Sequence, residues 1–498
     1  MEQGLTKQQV ISELAKSPHG KLAEYVKVGL PAARQDPDFF AHLVAWTVAN
    51  SQIRDAKVAL PVIALATKPA VDPYREHSAA VLASLDPRNF LRAMTFSREV
   101  PEMRPAFKII KKVAVRYLRE READRKYWDR SVLQYRQAMR TLYKATRMKH
   151  DGYFNDVLFK NQYPSGSVWE TIRDLSKLSA RDAVLAVQKH DIPFLVALPA
   201  LGEKLKNTEV ALELIKSMSP TELVTNAKLF EKMDFKNNPV LRSALREAVD
   251  KAAKAPRQKT TLKTSVAAAA VQDEGLKESL KGLQEKQLDA LQGPDGDWLV
   301  LADMSGSMHS AIDTAKEVAG VLARTVKGKV YLVFFNVSPL SFDVTGKTLE
   351  EIQSMTRGIT ANGGTSIGCG LDKLLSSKIE VGGIAIVSDG ADNTSPFFVP
   401  TYTKYAAKMG IEPTVYFYHM NGEADRLTSM CKTEGISLMT FDLTGSVDHY
   451  SIPNLVMTMR SSRYSLLDEI MASPLRRLDD VLKRTTEIGV FPRVVVTA

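Results

Sequence analysis

Cysteine is almost absent from this chain: Cys369 and Cys431 are the only two in 498 residues. Two are too few for a disulfide framework or a cysteine zinc site. Long hydrophobic runs are missing as well. The longest candidate, Ala59 to Ala66, is far below the ~18 apolar residues that would span a bilayer, and it contains Pro61. The start, Met1-Glu2-Gln3, has neither the basic nor the apolar region of a secretion signal. A soluble, cytoplasmic protein with no membrane partner is therefore expected. Apolar content of 44% and charged content of 25% are ordinary globular values, which excludes disordered, collagen-like and coiled-coil classes. At roughly 100–200 residues per domain, the length implies two to four domains.

Charge is unevenly distributed. The net formal charge is +10. Residues 1–290 hold 48 bases and 34 acids, and the remainder 19 bases and 23 acids. The stretch 101–150 alone holds 15 bases against 5 acids. Such asymmetry points to a polyanion that meets the N-terminal part only.

The first 250 residues read as successive helices. Asp36-Pro37, Asp72-Pro73 and Asp86-Pro87 each put an acidic N-cap before a proline at the first helical position. Phe39, Phe40, Leu43, Val44 and Trp46 then form an apolar stripe at helical spacing. Ser179 with Asp182, Ser219-Pro220 and Asn238-Pro239 mark later starts. The irregular spacing of these starts suggests stacked, HEAT-like helical hairpins rather than a strict repeat. Composition shifts from Ala255-Pro256-Arg257-Gln258-Lys259 onward, and a helix over Leu276–Leu291 closes at the turn cluster Gly293-Pro294-Asp295-Gly296. The helical domain is thus assigned to 1–291.

After Trp298 strands alternate with helices. Trp298–Ala302, Val330–Phe335, Ile384–Val387 and Thr414–Tyr418 are short unbroken apolar runs. Such runs predict a doubly wound α/β domain, over 297–460, with a parallel sheet covered on both faces. The last segment, 461–498, contains one amphipathic helix through Leu475, Leu478, Val481 and Leu482 and a strand-like Val494-Val495-Val496. No role follows for it.

The first strand ends at Asp303-Met304-Ser305-Gly306-Ser307, where an open α/β sheet binds ligands. Two later loops carry Gly363-Gly364-Thr365-Ser366 and Ser388-Asp389-Gly390. Asp303, Ser305, Ser307, Thr365 and Asp389 are all hard oxygen donors, a set that suits Mg²⁺ or Mn²⁺. This D-x-S-x-S…T…D pattern resembles the metal-ion-dependent adhesion site of von Willebrand factor A domains. The resemblance implies that an acidic group of a protein ligand can complete the metal shell.

Enzymatic chemistry finds no support. An aspartyl-phosphate mechanism needs a second acid two residues after Asp303, and Ser305 stands there. No Walker-type loop with lysine is present. His309, alone near the site, reads as a solvated helix start.

Lys108, Lys112, Arg116 and Arg119 share one face of a helix, and Arg136, Arg140, Lys144 and Arg147 share a face of the next. Ile109, Val113 and Tyr117, then Met139, Leu142 and Tyr143, make the opposite faces apolar. The stripes contain no acid, so phosphates are the expected neutralising partner, with an ordinary solvated surface as the alternative. Tyr153, Phe154, Phe159 and Tyr163, beside Lys149, His150 and Lys160, suit base stacking or a helix core.

Helical repeats, a linker and an A-type domain with an intact metal motif, in that order, resemble the TROVE (Ro autoantigen) family. Ala33-Arg34-Gln35-Asp36-Pro37-Asp38-Phe39-Phe40, Ile53-Arg54-Asp55-Ala56, Tyr135-Arg136-Gln137 and Ile192-Pro193-Phe194 look like that family's repeats. The resemblance covers the chain to about Arg460. It implies a ring of repeats sealed by the A domain. Single-stranded ends of misfolded non-coding RNA would enter the hole, and Y-RNA-like molecules would bind the basic outer surface. It also implies a quality-control role without catalysis, and, in bacterial members, an exoribonuclease partner. Where family members commonly carry Gly-Trp-Ser/Thr-His-x-Asp, this chain reads Met148-Lys149-His150-Asp151-Gly152-Tyr153, with His150 nearest to the family histidine. A cytoplasmic, monomeric RNA-binding protein is the resulting expectation. The alternative is a helical scaffold whose A domain grips an acidic protein through Mg²⁺.

Overall fold

The computed structural model describes residues 5–483 apart from 18–19, 52, 68–72, 150–151, 233–237, 255–263, 265–266, 269, 290–292, 421–424, 437 and 444–463. The chain divides into two compact units. One comprises 1–255, 267–280 and 466–498, and the other 256–266 and 281–465. Among the described residues no helix is long and apolar enough to cross a membrane.

The first unit is helical, and its helices begin where side chains can cap them. Asp36 accepts the Phe39 N–H at 2.9 Å, Asp86 accepts those of Arg88 and Asn89, and Ser179 accepts that of Asp182. At Ser219 the box is complete: its hydroxyl takes the Glu222 N–H while Glu222 takes the Ser219 N–H. Asp72 lies outside the described residues. Consecutive helices pack against one another, as Arg54–Ala66 does on Tyr74–Ala83 and Arg104–Glu122 on Arg125–Thr146. The apolar run around Pro61 becomes the central helix, Arg54–Ala66, which packs against Glu24–Gln35, Pro37–Asn50, Tyr74–Ala83, Pro87–Glu99 and Arg104–Glu122. A helix that is apolar on every side can only be buried. The Arg125–Thr146 helix kinks at Tyr135, whose φ of −136° leaves the helical region.

The C-terminal segment returns to this unit. Two short helices form, Tyr464–Met471 and Leu478–Val481, where one amphipathic helix was expected; Pro474 stands between them. Leu466, Ile470, Leu478 and Leu482 are buried. The Trp46 indole N–H donates to Glu469 at 2.8 Å, and His42 Nδ1 to the Ser473 carbonyl at 2.7 Å. The Arg476 N–H donates to His77 Nδ1 at 2.7 Å. The strand-like Val494–Val496 lies outside the described residues.

The second unit holds a six-stranded sheet: β1 Trp298–Asp303, β2 Val330–Phe335, β3 Pro339–Asp343, β4 Gly383–Ser388, β5 Thr414–Met420 and β6 Leu438–Leu443. The spatial order is β3-β2-β1-β4-β5-β6. The sheet is mixed rather than parallel, because β3 runs antiparallel to β2. β1 and β4 are buried at every position, as strands covered on both faces must be. Val300 and Ala302 pack with Ala311, Ala315 and Leu322 on one face. Leu299 and Leu301 pack with Leu371, Leu374 and Tyr405 on the other. The order reverses between β1 and β4, and the carboxyl ends of those strands border the crevice where such sheets place ligands.

Candidate metal centre and nucleic-acid interface

Asp303 ends β1 and is fully buried. One carboxylate oxygen accepts the Ser305 N–H at 2.8 Å, and the other accepts the Ser388 hydroxyl at 2.6 Å from the end of β4. Burial raises its pKa above the usual carboxylate value, with the charge of Asp389 adding in the same direction. The three loops meet through their backbones. Gly306 N–H donates to the Gly363 carbonyl at 3.2 Å, Asn362 N–H to the Met304 carbonyl at 2.7 Å, and Asn393 and Thr394 N–H groups to the Thr365 carbonyl. Ser307 is exposed, with its hydroxyl 3.5 Å from Asp389. Ser305 and Thr365 are buried, at 3% and 4% exposure.

This donor set fits a hard divalent cation. A buried carboxylate that burial alone disfavours in its charged form gains from a nearby positive charge. Among the described residues no group of three or more His, Cys, Asp or Glu side chains is placed to hold a metal ion. A cation here would thus have two carboxylates and hydroxyl oxygens, without nitrogen or sulfur ligands.

The cationic stripes divide into three kinds of residue. Lys108, Lys112, Lys144, Arg147 and Lys149 are exposed, and among the described residues none is in an ion pair. Arg119, Arg136 and Arg140 are engaged locally. Arg119 pairs with Glu122 at 2.6 Å and donates to the Lys149 carbonyl, Arg136 donates to the Val157 carbonyl and Asn161, and Arg140 lies over Phe159. Arg116 corrects the sequence expectation. Its side chain is 3% exposed and pairs with Asp479 at 2.6 Å, so it does not stand on the open face. Sequence spacing placed it correctly on the helix, but the segment that covers it comes from the far end of the chain. His150 lies outside the described residues.

The nearby aromatics are packed rather than displayed. Phe154 is buried against Trp128 at 4.7 Å, Phe159 meets Tyr143 edge-on, and Tyr163 stacks on Trp169.

No protein-family model and no curated protein matches the chain. Among solved structures it resembles the Ro (RSR) protein of Deinococcus radiodurans at 13% identity. That match has a TM-score of 0.63 and covers 91% of this chain and the whole of the other. The chain shares its fold with a Ro protein. At this identity the likeness is one of backbone, so chemistry on the Ro fold has to be argued from this chain's own side chains.

Two further residues shape the candidate site. Ser388, which the sequence shows only as a loop residue beside Asp389, is the direct hydrogen-bond donor to Asp303. Asp392 is 1% exposed and accepts the Ile367 and Phe398 N–H groups at 3.0 and 2.7 Å, tying two helix starts to the third loop. Its spacing of three from Asp389 was the available signal. A carboxylate that close to a ligand candidate reads equally as a cap.

Proposed function

We propose that this chain is a TROVE-family RNA-binding protein. Its helical unit, HEAT-like and ring-forming as in that family, binds structured and misfolded non-coding RNA, including Y-RNA-like molecules and single-stranded ends. Its sheet unit is a von Willebrand factor A domain that holds Mg²⁺ or Mn²⁺ between Asp303, Ser305, Ser307, Thr365 and Asp389. When bound, the ion would act as a docking charge. The protein would work as a cytoplasmic monomer and scaffold, with an exoribonuclease as one partner, and would not be an enzyme.

The observation that carries this reading is the set of exposed cations Lys108, Lys112, Lys144, Arg147 and Lys149, none of them in an ion pair among the described residues, in a chain with the Ro fold. Exposed cations without carboxylate neighbours meet phosphates without reading sequence. Five such contacts predict that affinity for a structured RNA with a single-stranded tail falls roughly 10²–10³-fold between ~50 and 200 mM salt. Fluorescence anisotropy across that range tests it. Affinity no better than that of serum albumin would overturn the reading. A second use of the metal, gripping an acidic protein ligand, is favoured by the exposure of Ser307 above the buried Asp303.

A further inference from the structure

Beside the first turns of the Arg125–Thr146 helix lies a cavity of about 430 Å³ that neither cationic stripe uses. Its walls come from that helix, Tyr153, the segment 164–168 and residues 189–191. The volume falls within the ~300–1,000 Å³ of small-molecule sites.

Four cations, Arg125, Lys126, Arg130 and Lys189, line it with two carboxylates, Asp129 and Asp191. Both carboxylates are already engaged. Asp129 accepts the Tyr153 hydroxyl at 2.9 Å and the Trp169 indole N–H at 2.7 Å, and Asp191 pairs with Arg130 at 2.9 Å. Arg125 lies over the Tyr153 ring, 3.4 Å from its centre. Lys126 and Lys189 remain, both exposed and, among the described residues, in no ion pair. Burial, and then the neighbouring Lys189, lower the pKa of His190. Two positive charges are left uncompensated, matching the roughly −1.5 to −2 of a phosphate monoester. The Ser167 hydroxyl accepts the Glu170 N–H, which leaves its proton to donate, and Ser165 is exposed beside it. Leu133, Pro164 and Val168 supply apolar wall.

We propose that this cavity binds the phosphate monoester of a nucleotide, with Lys126 and Lys189 on the phosphate, Ser165 and Ser167 as donors, and the apolar wall against the nucleoside. The phosphate is carried either by a free mononucleotide or by the phosphorylated end of an RNA strand. The second source rests on the RNA reading above; the first does not.

The test uses the full chain and isothermal titration with AMP against adenosine. In parallel, it uses short single-stranded RNAs ending in 5′-phosphate, 3′-phosphate or hydroxyl. At least one phosphorylated ligand is expected to bind about tenfold or more tightly than its hydroxyl counterpart. The double variant Lys126→Glu/Lys189→Glu should lose that preference and Lys126→Arg/Lys189→Arg should keep it, with unchanged thermal unfolding in both. Preference for a phosphorylated strand over AMP assigns the strand end; equal binding of AMP assigns the free nucleotide. AMP binding without any RNA binding keeps the cavity and sinks the RNA reading. RNA binding with no phosphate preference, or a preference that survives the Glu variant, overturns the cavity and leaves the RNA reading standing.

Discussion

The helical unit carries Lys108, Lys112, Lys144 and Arg147 outward, while the loops above the sheet carry Asp303 inward. Lys108, Lys112 and Lys144 stand in solvent and need no partner in the folded chain. Asp303, fully buried, is held by the Ser305 N–H and the Ser388 hydroxyl, and its charge is still disfavoured by burial. Exposed charge costs little and stays available to a large, salt-sensitive partner. Buried charge must be answered in place, by a counter-charge of fixed geometry. Arg116 shows that the second rule also operates inside the helical unit. Once covered, it acquires Asp479 as its own counter-ion.

The sharpest way to break this contrast is to remove what covers Arg116. Truncation after residue 463 strips Leu466, Ile470, Leu478 and Leu482 from the helical unit. At ~1.5–3 kcal/mol for each buried aliphatic side chain, the loss is roughly 6 kcal/mol or more, comparable with the whole stability of many domains. Urea unfolding followed by circular dichroism should show the helical unit melting early or not folding. A truncated chain of unchanged stability would mean that the returning segment is only a surface passenger.

A smaller effect, at the same contact, comes from pH. Burial pushes His77 down to about 4, and its Nδ1 already accepts the Arg476 N–H, so it cannot take a proton there without losing that bond. The unfolded chain, with an ordinary histidine near 6.5, binds the proton first as pH falls. This contribution is therefore complete above about pH 6.5 and declines toward pH 4, by roughly 3 kcal/mol in all. His77→Gln keeps an acceptor for Arg476 and should flatten the slope between those values in urea titrations. Parallel slopes for the two proteins would show that His77 does not titrate with unfolding.

How far the sequence could be read follows from the range of the interactions involved. The four interior strands were legible because strands buried on both faces are continuous apolar runs. β3 and β6, the edges, were not. β3 begins with Pro339 and is largely exposed, so it carries little of the apolar signal that marks a strand. That the Asp303, Thr365 and Asp389 loops lie at one end of the sheet was legible because Asp303 closes the first strand and the topology of the sheet delivers the other two loops. Helical spacing likewise told which residues share a face with Arg116. It could not tell that a segment 363 residues later lies over that face.

Within the first stripe, two neighbours on one face should therefore separate. Arg116→Ala removes a buried cation that holds Asp479 and the Leu482 carbonyl. It should cost about 2–3 kcal/mol of stability, and affect RNA only through unfolding. Lys112→Ala, one turn earlier and exposed, should change stability by less than about 0.5 kcal/mol, yet weaken RNA binding and reduce the salt slope by about one contact. Denaturation and anisotropy on the same preparations check both. If the two variants lose RNA affinity equally while folded, the stripe acts as one surface and the burial of Arg116 is irrelevant to it.

The smallest expected effect is a null result across the two units. Asp303→Asn keeps an oxygen to accept the Ser305 N–H but removes the charge that a divalent cation requires. Mg²⁺-dependent thermal stabilisation should vanish in this variant, because a ligand that binds only the folded state stabilises it by mass action. RNA affinity should shift by less than about twofold, since the cations proposed to meet phosphate sit on the other unit and the change in net charge is a single unit. A parallel collapse of RNA binding in folded Asp303→Asn protein would mean that the buried carboxylate and the exposed lysines serve one site. The division between inward and outward charge would then describe packing alone and say nothing about which partner each unit meets.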